Sequence, residues 1–597
     1  MSVHKYKQDA IRVQLAHGRG FAAMAASIPY LAVALLTIGC LFLFFFPAGV
    51  DLRFPISTPV GDYLAEAIKV KNTLETGSLW VTPRLAAPFG FRFYDFPGAE
   101  EFHLLIIRAI GLFTSDVILV INLFYLLGYV LMSVTSLFAF RQMRVPLFPA
   151  TGMSLLFPFL PDHYLRGEHH LFIGSYYLVP LAMLVMLWLA RGEAIIERSA
   201  GTRLPFRLTR KGTFTIIICV LLGSGGVYYA FFAAALLCVV ALSVSIRHRR
   251  WRAALPSAVA VCVLVVSLLA NLAPSVIDHL QHGSNRAVAN RSPLEADRYG
   301  LKITGLLMPV HNHRLASFAL LNSRVTTATL WSQGSVMAPL GLIGSLGFLS
   351  LIAVALWRPL GRGLPELDTL ATLNLASVLL ATVGGFGSVF AWTISPEIRA
   401  YARICPFIAI FSFAALLIVV QRFVTGRLWS KLAIRSYYFA VGLLVLGGLP
   451  DLIPPQASLT DAIRARVEND RNFFRAMESS LPKGAMVFQL PYESFPEAPA
   501  VNNLGSYDHA RGYLYSHDLR WSFGAMAGRP EDIWECNTAG MVLEDMLPVL
   551  RRAGFKAIYV DRFGYLDSGA HICSRLTALL GEMPLESADL RMVCFKL

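Results

Sequence analysis

Long apolar stretches constrain this chain more than any other feature. A helix needs roughly 20 apolar residues to cross the hydrocarbon core of a bilayer, and about eleven stretches approach that length. The clear ones lie near residues 22–46, 116–140, 171–190, 227–246, 253–273, 336–357, 404–421 and 436–449. The others, near 146–160, 213–223 and 367–387, are short or interrupted by Pro or Gly, as in helices that line cavities. We therefore predict a polytopic α-helical membrane protein with about eleven transmembrane helices.

Composition agrees with this prediction. Of the 597 residues, 55% are hydrophobic and only 15% are charged, whereas soluble proteins carry about 25% charged residues. This balance excludes a globular cytosolic enzyme and an intrinsically disordered chain.

The distribution of basic residues predicts an orientation. With residue 1 in the cytoplasm, the cytoplasmic segments are 1–20, 141–145, 191–212, 247–252, 358–368 and 422–435. They hold 22 basic and 5 acidic residues, which is the excess expected on the cytoplasmic side. The net charge of +14 is then a topology signal that calls for no nucleic-acid partner. The first apolar stretch is too long for a cleavable signal peptide, so we expect an uncleaved first membrane helix.

The chain divides by composition into two predicted domains. Residues 1–449 form the membrane domain, with long outer loops at 51–115 and 274–335, and residues 450–597 form a soluble periplasmic domain. In the latter, LTDAIRARVENDRNFFRAMESSL and MVLEDMLPVLRRAG have helical periodicity, while GAMVFQLPY, FKAIYVDRF and RMVCFKL are apolar bursts of strand length. Strands and helices that alternate in this way predict a small extracytoplasmic α/β domain.

The first outer loop contains two predicted amphipathic helices. GDYLAEAIKVKNTLETGSLW places Leu64, Ala67, Ile68 and Leu74 on one face and ends at Gly77. EEFHLLIIRAIGLF is the second, and we expect it to lie on the membrane surface. Loops of this length usually have a function.

Three cysteines of the periplasmic domain bear on its oxidation state. An oxidising compartment would permit one disulfide among Cys536, Cys573 and Cys594, and the sequence does not identify the pair.

Charged and polar residues cluster at the predicted outer ends of the helices. Such groups are costly to desolvate, so those kept near a membrane boundary usually face a cavity or a polar ligand. The clusters are Asp51 with Asp62; Asp95 with Glu100 and Glu101; Asp162, His163, Arg166, Glu168, His169 and His170; His311, His313 and Arg314; and Glu397, Arg399 and Arg403.

The two kinds of charge suit one reaction. A carboxylate can deprotonate a hydroxyl or hold a divalent ion, while Arg and His can neutralise a phosphate leaving group. Arg399 and Arg403 are four residues apart and share one helix face, which suits a lipid phosphate at the headgroup level.

Each cluster also has a purely structural interpretation. Asp51 could end the first span at the water interface, Asp62 could cap a helix, and Asp95 could stabilise a turn. His169 and His170 could hold their loop in place.

Aromatic and polar residues alternate in the periplasmic domain between residues 507 and 534. Aromatic faces beside hydrogen-bonding groups suit carbohydrate, and on this basis Tyr513 and Trp521 are candidates for acceptor binding. The alternative is an aromatic core with solvated neighbours.

Taken together, this order of features resembles the GT-C superfamily of membrane glycosyltransferases. The resemblance covers a first span, a long acidic outer loop with amphipathic helices, short broken spans midway and an exported C-terminal domain. The stretches FQLPYESFPE and GFKAIYVDRFGYLD are similar to bacterial membrane proteins labelled sugar translocases or phosphoglycerol transferases. The chain departs from the superfamily in lacking a WWDYG-like motif and a DE pair directly after the first span.

The resemblance implies transfer of a sugar from a polyprenyl-phosphate-linked donor to an extracytoplasmic acceptor, a cell-envelope glycan, lipid or protein. By position, Asp62 or Asp51 matches the superfamily's first-loop acidic residue, and Asp95 would be a second acidic site. Arg399 and Arg403 lie where superfamily members contact the donor phosphate.

We predict an inverting transfer with Asp62 as the base and Asp51 or Asp95 as alternates. Arg399, Arg403 and His169 or His170 would steady the departing lipid phosphate. The sequence requires no cofactor, and an alternative with a divalent cation, Mg²⁺ or Mn²⁺, would use Asp95, Glu168 and His170 as its ligands. Two other functions stay open at this point: a carrier or flippase for a lipid-linked saccharide, and a noncatalytic scaffold.

Overall fold

The computed structural model describes residues 26–46, 49–198, 206–328, 333–357, 364–425, 431–455 and 460–597. Residues 1–20, on which the predicted orientation partly depends, lie outside this description, as do parts of three other basic segments. The described chain is mostly helical.

Helices make up nearly all of the regular secondary structure described in the first three quarters of the chain. They are Ala26–Phe44, Asp62–Thr76, Glu101–Gly111, Val117–Gln142, Leu147–Leu156, Pro161–Tyr164, Val179–Ala190, Arg210–Gly223, Val227–His248, Leu255–His282, Glu295–Arg298, Ile303–Leu307, Ala316–Ala328, Gly341–Trp357, Pro365–Ala381, Phe386–Thr393, Cys405–Thr425 and Lys431–Leu452. Two short hairpins pair Val81–Thr82 with Phe91–Arg92 and Ile196–Arg198 with Phe206–Leu208.

Each predicted apolar stretch overlaps one of these helices. Five helical segments of the described chain are long and apolar enough to cross a membrane: Ala26–Phe44, Val117–Gln142, Val227–His248, Trp251–His282 and Tyr401–Arg422. Val179–Ala190 and Gly341–Trp357 are shorter apolar helices. This is the architecture of a membrane protein, and the number of eleven spans stays a prediction.

Two boundaries differ from the sequence prediction. The stretch predicted from residue 171 becomes helical only at Val179, because the preceding segment follows a 3₁₀ turn at Gly167–His170 and Pro180 suits the first turn of a new helix. The helix predicted to end near 273 continues to His282 and carries its last turns into the outer loop.

The helices differ in how deeply they are buried. Tyr401–Arg422 has 78% of its most apolar window buried, whereas the corresponding figure for Ala26–Phe44 and Trp251–His282 is 17%. Tyr401–Arg422 is therefore central to the bundle. Ala26–Phe44 and Trp251–His282 lie at its periphery, with apolar side chains available to lipid.

The last quarter of the chain contains helices and one mixed sheet. The helices are Thr460–Ser480, Ala510–Tyr515, Pro530–Ala539, Leu543–Ala553 and Ala570–Leu580. The strands, in spatial order, are Arg520–Trp521, Met486–Leu490, Phe555–Asp561, Met592–Lys596 and Leu585–Glu586. The first three strands run parallel and the last two join antiparallel.

This C-terminal segment, residues 460–597, packs directly on residues 51–115, the predicted first outer loop. The Trp521 N–H donates to the Arg84 carbonyl at 2.8 Å, and the Ala87 N–H donates to the Trp521 carbonyl at 2.9 Å, so the loop extends the edge of the sheet. The largest hydrophobic core joins residues of both parts, with Leu64, Phe407 and Trp521 among its members. The core is thus continuous across the predicted boundary at residue 449, and the division into two domains stays a prediction.

Buried charges also tie the C-terminal segment to the first loop. The Arg511 guanidinium bonds Asp470 and Asp508 and donates to the Pro59 carbonyl at 2.9 Å. Arg591 in turn bonds Asp508 and Asp561. All eight cysteines are free, so the disulfide permitted among Cys536, Cys573 and Cys594 is not formed.

Candidate active site

A cavity of about 540 Å³ lies where the first outer loop, the outer ends of several helices and the C-terminal segment meet. Its charged and histidine lining residues are Asp62, Glu66, Lys69, Asp95, Glu100, His170, His279, Arg291, Glu397, Arg399, Arg403 and Glu497. Apolar and aromatic side chains, among them Phe96, Tyr228 and Tyr507, complete the walls. The cavity thus gathers sequence-predicted residues from positions more than 300 apart in the chain.

Asp62 enters the cavity from the first turn of the first-loop helix, Asp62–Thr76. The N-cap residue of this helix is Gly61, with φ of 55°, and no side chain caps the N-terminus. Asp62 is therefore not an N-cap, which was its alternative structural role. Its carboxylate is 52% exposed and lies 3.6 Å from Nδ1 of His170. Although half exposed, the carboxylate is partly desolvated by the cavity walls, which raises the pKa of Asp62. A raised pKa suits a carboxylate that must accept a proton.

Glu66 and Lys69 follow Asp62 on the same face of the first-loop helix. Lys69 Nζ lies 3.4 Å from Oε2 of Glu66 and 3.2 Å from Oε2 of Glu100, so one ammonium serves two buried carboxyl groups. Burial, assisted by Glu100 and Asp62, raises the pKa of Glu66 to about 8. Glu66 and Lys69 are not among the sequence-predicted site residues, although their spacing of four and seven residues from Asp62 predicts a shared helix face.

Four basic residues line the cavity, and they differ in their partners. Lys69 is held by Glu66 and Glu100, Arg291 pairs with Glu497 at 2.7 Å, and Arg399 pairs with Glu295 at 2.9 Å and Glu497 at 3.2 Å.

Arg403 is different. Its guanidinium lies 4.2 Å from the centroid of the Tyr228 ring, and no carboxylate of the described residues is within ion-pair distance. Arg403 therefore keeps an uncompensated positive charge at the cavity, whereas the charge of Arg399 is already balanced.

Asp95 has a different role from the one predicted. Its buried carboxylate accepts two hydrogen bonds from Arg529 at 2.6 and 2.8 Å, one from Asn285 at 3.0 Å, and pairs with His279 at 2.9 Å. Although burial acts in the opposite direction, the bonds from Arg529 and Asn285 lower the pKa of Asp95. A carboxylate with all its lone pairs engaged is a poor base, so Asp95 serves as a clamp between the loop and the C-terminal segment.

Asp51 is also unsuited to act as the base. It lies outside the cavity lining and accepts bonds from Nε and Nη2 of Arg53 at 2.9 and 2.7 Å. This bidentate contact lowers the pKa of Asp51 to about 2. Of the three predicted carboxylates, Asp62 alone both lines the cavity and lacks a cationic clamp in the described part of the chain.

Only one of the two histidines predicted to bind phosphate lines the cavity. His170 lines the cavity, while His169 packs edge-on against Tyr63 with ring centroids 6.3 Å apart. Burial and the nearby Arg403 lower the pKa of His170 to about 3. His170 is therefore neutral and can offer a hydrogen bond but no charge.

The predicted metal ligands do not come together. Glu168 is buried and accepts two bonds from Ser57, both at 2.7 Å, and Asp95 is engaged by Arg529. Within the described ranges, no group of three or more His, Cys, Asp or Glu residues could hold a metal ion. The set of Asp95, Glu168 and His170 thus does not fit Mg²⁺ or Mn²⁺, because each carboxylate faces a different partner.

Tyr513 and Trp521 do not face the cavity. Both side chains are fully buried. The Tyr513 hydroxyl donates to Glu75, and the Trp521 indole donates to Ser516. They belong to the aromatic core of the C-terminal segment, which was the alternative to acceptor binding.

Comparison with known proteins gave structural neighbours only. No protein-family model matches the chain, and no curated protein matches it. The chain is similar to ArnT from Cupriavidus metallidurans in the apo state, with 14% identity, a TM-score of 0.49, and coverage of 96% of this chain and 98% of that one. ArnT bound to undecaprenyl phosphate gives the same values.

A second similar structure is the apo oligosaccharyltransferase from Archaeoglobus fulgidus, with 13% identity, a TM-score of 0.47, and coverage of 89% of this chain and 69% of that one.

Proposed function

We propose that this protein is an inner-membrane glycosyltransferase that moves a sugar from an undecaprenyl-phosphate-linked donor to an acceptor in the periplasm. The observation that carries the proposal is the pairing state of the cavity charges. Arg403 is a cation without a carboxylate partner in the described chain, and Asp62 is a carboxylate without a cationic clamp, in one cavity.

The mechanism follows from these two groups. Asp62 accepts the proton of an acceptor hydroxyl as its oxygen attacks the anomeric carbon, and the bond between that carbon and the phosphate oxygen breaks. Attack from the face opposite the leaving group inverts the anomeric configuration. The charge that develops on the lipid phosphate is stabilised by Arg403, with His170 as a neutral hydrogen-bond partner. The products are a glycoside and undecaprenyl phosphate.

The phosphate role is tested by direct binding. Undecaprenyl phosphate is titrated into the purified protein in lipid nanodiscs. Loss of one charged hydrogen-bonding partner costs roughly 1.5–3 kcal/mol, so Arg403→Gln should weaken binding about 10- to 100-fold. Arg422→Gln, the same change at the other, exposed end of the same helix, is the control and should have no effect. Equal affinity for the Arg403→Gln variant and the wild type would refute the assignment.

The catalytic role is tested by product release. Wild-type protein supplied with undecaprenyl-phosphate-linked sugars should release undecaprenyl phosphate, and Asp62→Asn should reduce the rate at least about 100-fold while leaving lipid binding intact. Undiminished turnover in Asp62→Asn would show that another group is the base. Transport of the intact donor across the bilayer without release would favour the carrier.

A further inference from the structure

The carboxylate of Glu497, which belongs to the C-terminal segment, holds two arginines from earlier parts of the chain. Its Oε2 lies 2.7 Å from Nη1 of Arg291, and its Oε1 lies 3.2 Å from Nη2 of Arg399. All three residues line the cavity. Among the described residues, Arg291 has no other carboxylate within ion-pair distance, whereas Arg399 also has Glu295 at 2.9 Å. Two guanidinium groups that share one carboxylate could equally share a phosphate.

Glu497 lies in a short surface stretch, residues 496–501, here called the strap. The strap is fixed at both ends. The Phe495 carbonyl accepts a hydrogen bond from the Ala527 N–H at 2.7 Å, and the Asn502 side chain donates to a backbone carbonyl of the C-terminal segment at 2.7 Å. Between these points every side chain is at least partly exposed. The strap can therefore move while the segment around it stays folded.

The backbone of Glu497 is held in an uncommon conformation. Its φ of 59° lies in the left-handed region, which residues with a side chain rarely adopt. Its N–H donates to the Tyr507 hydroxyl at 2.9 Å. Such conformations persist where surrounding contacts impose them, and they are frequent in switch regions. Loss of the two arginines would remove contacts that hold Glu497 and let the strap relax.

The reaction proposed above changes the charge of the lipid phosphate. The donor is a phosphodiester with one negative charge, which Arg403 alone can balance. The product is a monoester, which carries a charge of about −1.5 to −2 near pH 7. The added charge attracts a further cation, and Lys69 is already held by two carboxyl groups. The other basic residues of the described cavity lining are Arg291 and Arg399, which Glu497 occupies.

On this basis, and resting on the proposed function, we propose that Glu497 is a latch that competes with the lipid phosphate for Arg291 and Arg399. The donor leaves the latch closed, so the strap encloses the cavity during transfer. The product draws the two arginines away from Glu497, and the strap opens. Because such coupling is reciprocal, the competition from Glu497 also weakens the binding of the product.

Binding of two lipids tests the competition. Undecaprenyl phosphate and undecaprenyl-phosphate glucose are titrated at neutral pH into the full-length protein in nanodiscs. Glu497→Gln keeps the shape of the side chain and removes its charge, so the variant should bind undecaprenyl phosphate about fivefold more tightly and the glucose lipid less than about twofold more tightly. Glu544→Gln is the control, because Glu544 pairs with Arg575 outside the cavity lining, and it should change neither affinity. Equal or weaker binding of undecaprenyl phosphate by Glu497→Gln, or an equal gain for both lipids, would overturn the proposal.

Hydrogen exchange tests the opening of the strap. In the wild type, saturation with undecaprenyl phosphate should accelerate exchange of the strap amides about fivefold, and the glucose lipid should change it by less than about twofold. The strap of Glu497→Gln should exchange rapidly with or without lipid. Inorganic phosphate at the same concentration should have no effect on the wild type. Acceleration by inorganic phosphate would assign the latch to free phosphate, and unchanged exchange with undecaprenyl phosphate would show that the strap does not open; either result overturns the proposal.

A double variant identifies the source of the added affinity. Glu497→Gln combined with Arg291→Gln should lose the gain, because the freed cation is gone, and a double variant that keeps the full gain would refute the latch. Exchange of amides outside the strap reports that each variant is folded. Failure of the wild type to bind undecaprenyl phosphate, or undiminished binding by Arg403→Gln, would defeat the proposed function and this inference with it. Normal binding by the wild type without an effect of Glu497→Gln would defeat only the inference.

Discussion

Lys71 is a buried side chain that joins the first outer loop to the C-terminal segment. Burial and the neighbouring Arg84 lower its pKa to about 7, so it is an ammonium below neutral pH, where the bonds described next have their full strength. Its Nζ donates to the carbonyls of Tyr513, Leu514 and Ser516 at 2.7, 3.0 and 2.6 Å. These carbonyls lie at the end of helix Ala510–Tyr515, where the last C=O groups have no partner within the helix. We predict that Lys71→Met releases this helix from the first loop.

The magnitude follows from the contacts. A hydrogen bond to a charged group contributes about 1.5–3 kcal/mol, and because the three bonds share one ammonium we take about 3 kcal/mol for the set. Methionine fills a similar volume, so loss of packing adds little. Glu75, which lies 3.7 Å from Lys71, keeps Arg84 and Tyr513 as partners.

Hydrogen exchange measures this loss locally. A loss of about 3 kcal/mol corresponds to roughly a hundredfold faster exchange of the amides of helix Ala510–Tyr515 if they exchange by local opening. Lys483→Met is the control, because Lys483 is 85% exposed and lies 3.9 Å from Asp518; it should change exchange by about twofold at most. Acceleration of less than about fivefold in Lys71→Met would refute the argument.

Three further predictions concern stability. Burial raises the pKa of Glu168 to about 7, above the ordinary value of 4.5. The contribution of Glu168 to stability should therefore fall as pH rises from about 4.5 to 7, and Glu168→Gln should reduce that slope in thermal unfolding at a series of pH values. An identical slope in both proteins would contradict the raised pKa. The clamp between Asp95 and Arg529 should show a coupling energy of about 1–3 kcal/mol in a double-mutant cycle of Asp95→Asn and Arg529→Met, and additive effects would mean that the contact contributes nothing. Trp521→Ala should destabilise the protein by about 3–5 kcal/mol because it leaves a large buried cavity. The affinity of the folded variant for undecaprenyl phosphate should be unchanged. Weaker lipid binding by the folded variant would indicate that Trp521 contributes to the binding site.

Local patterns predicted much of the secondary structure. Apolar periodicity and Gly77 gave the first-loop helix, which ends with Gly77 in the left-handed conformation at φ of 73°. Strands Met486–Leu490 and Phe555–Asp561 lie within the predicted apolar bursts. These features depend on neighbouring residues, which is why a single sequence contains the information.

The candidate site was less accessible to such reasoning. Pairing partners decide which charges are free, and the bond between Asp95 and Arg529 joins positions 434 residues apart. No local sequence pattern predicts this bond. Tyr513 and Trp521 illustrate a second difficulty, because aromatic residues among polar ones occur both in sugar sites and in cores, and only burial distinguishes the two.

The continuous core has a consequence for how the protein is made. Glu497 and Tyr507 help to enclose the cavity, yet ribosomes add them only after every apolar helix has been synthesised. Until the final portion has packed on the first outer loop, the cavity lacks a wall and is open to water. A chain cut short near residue 455 should still contain the apolar helices but have no enclosed cavity, so the proposed reaction would begin only once the last segment has docked.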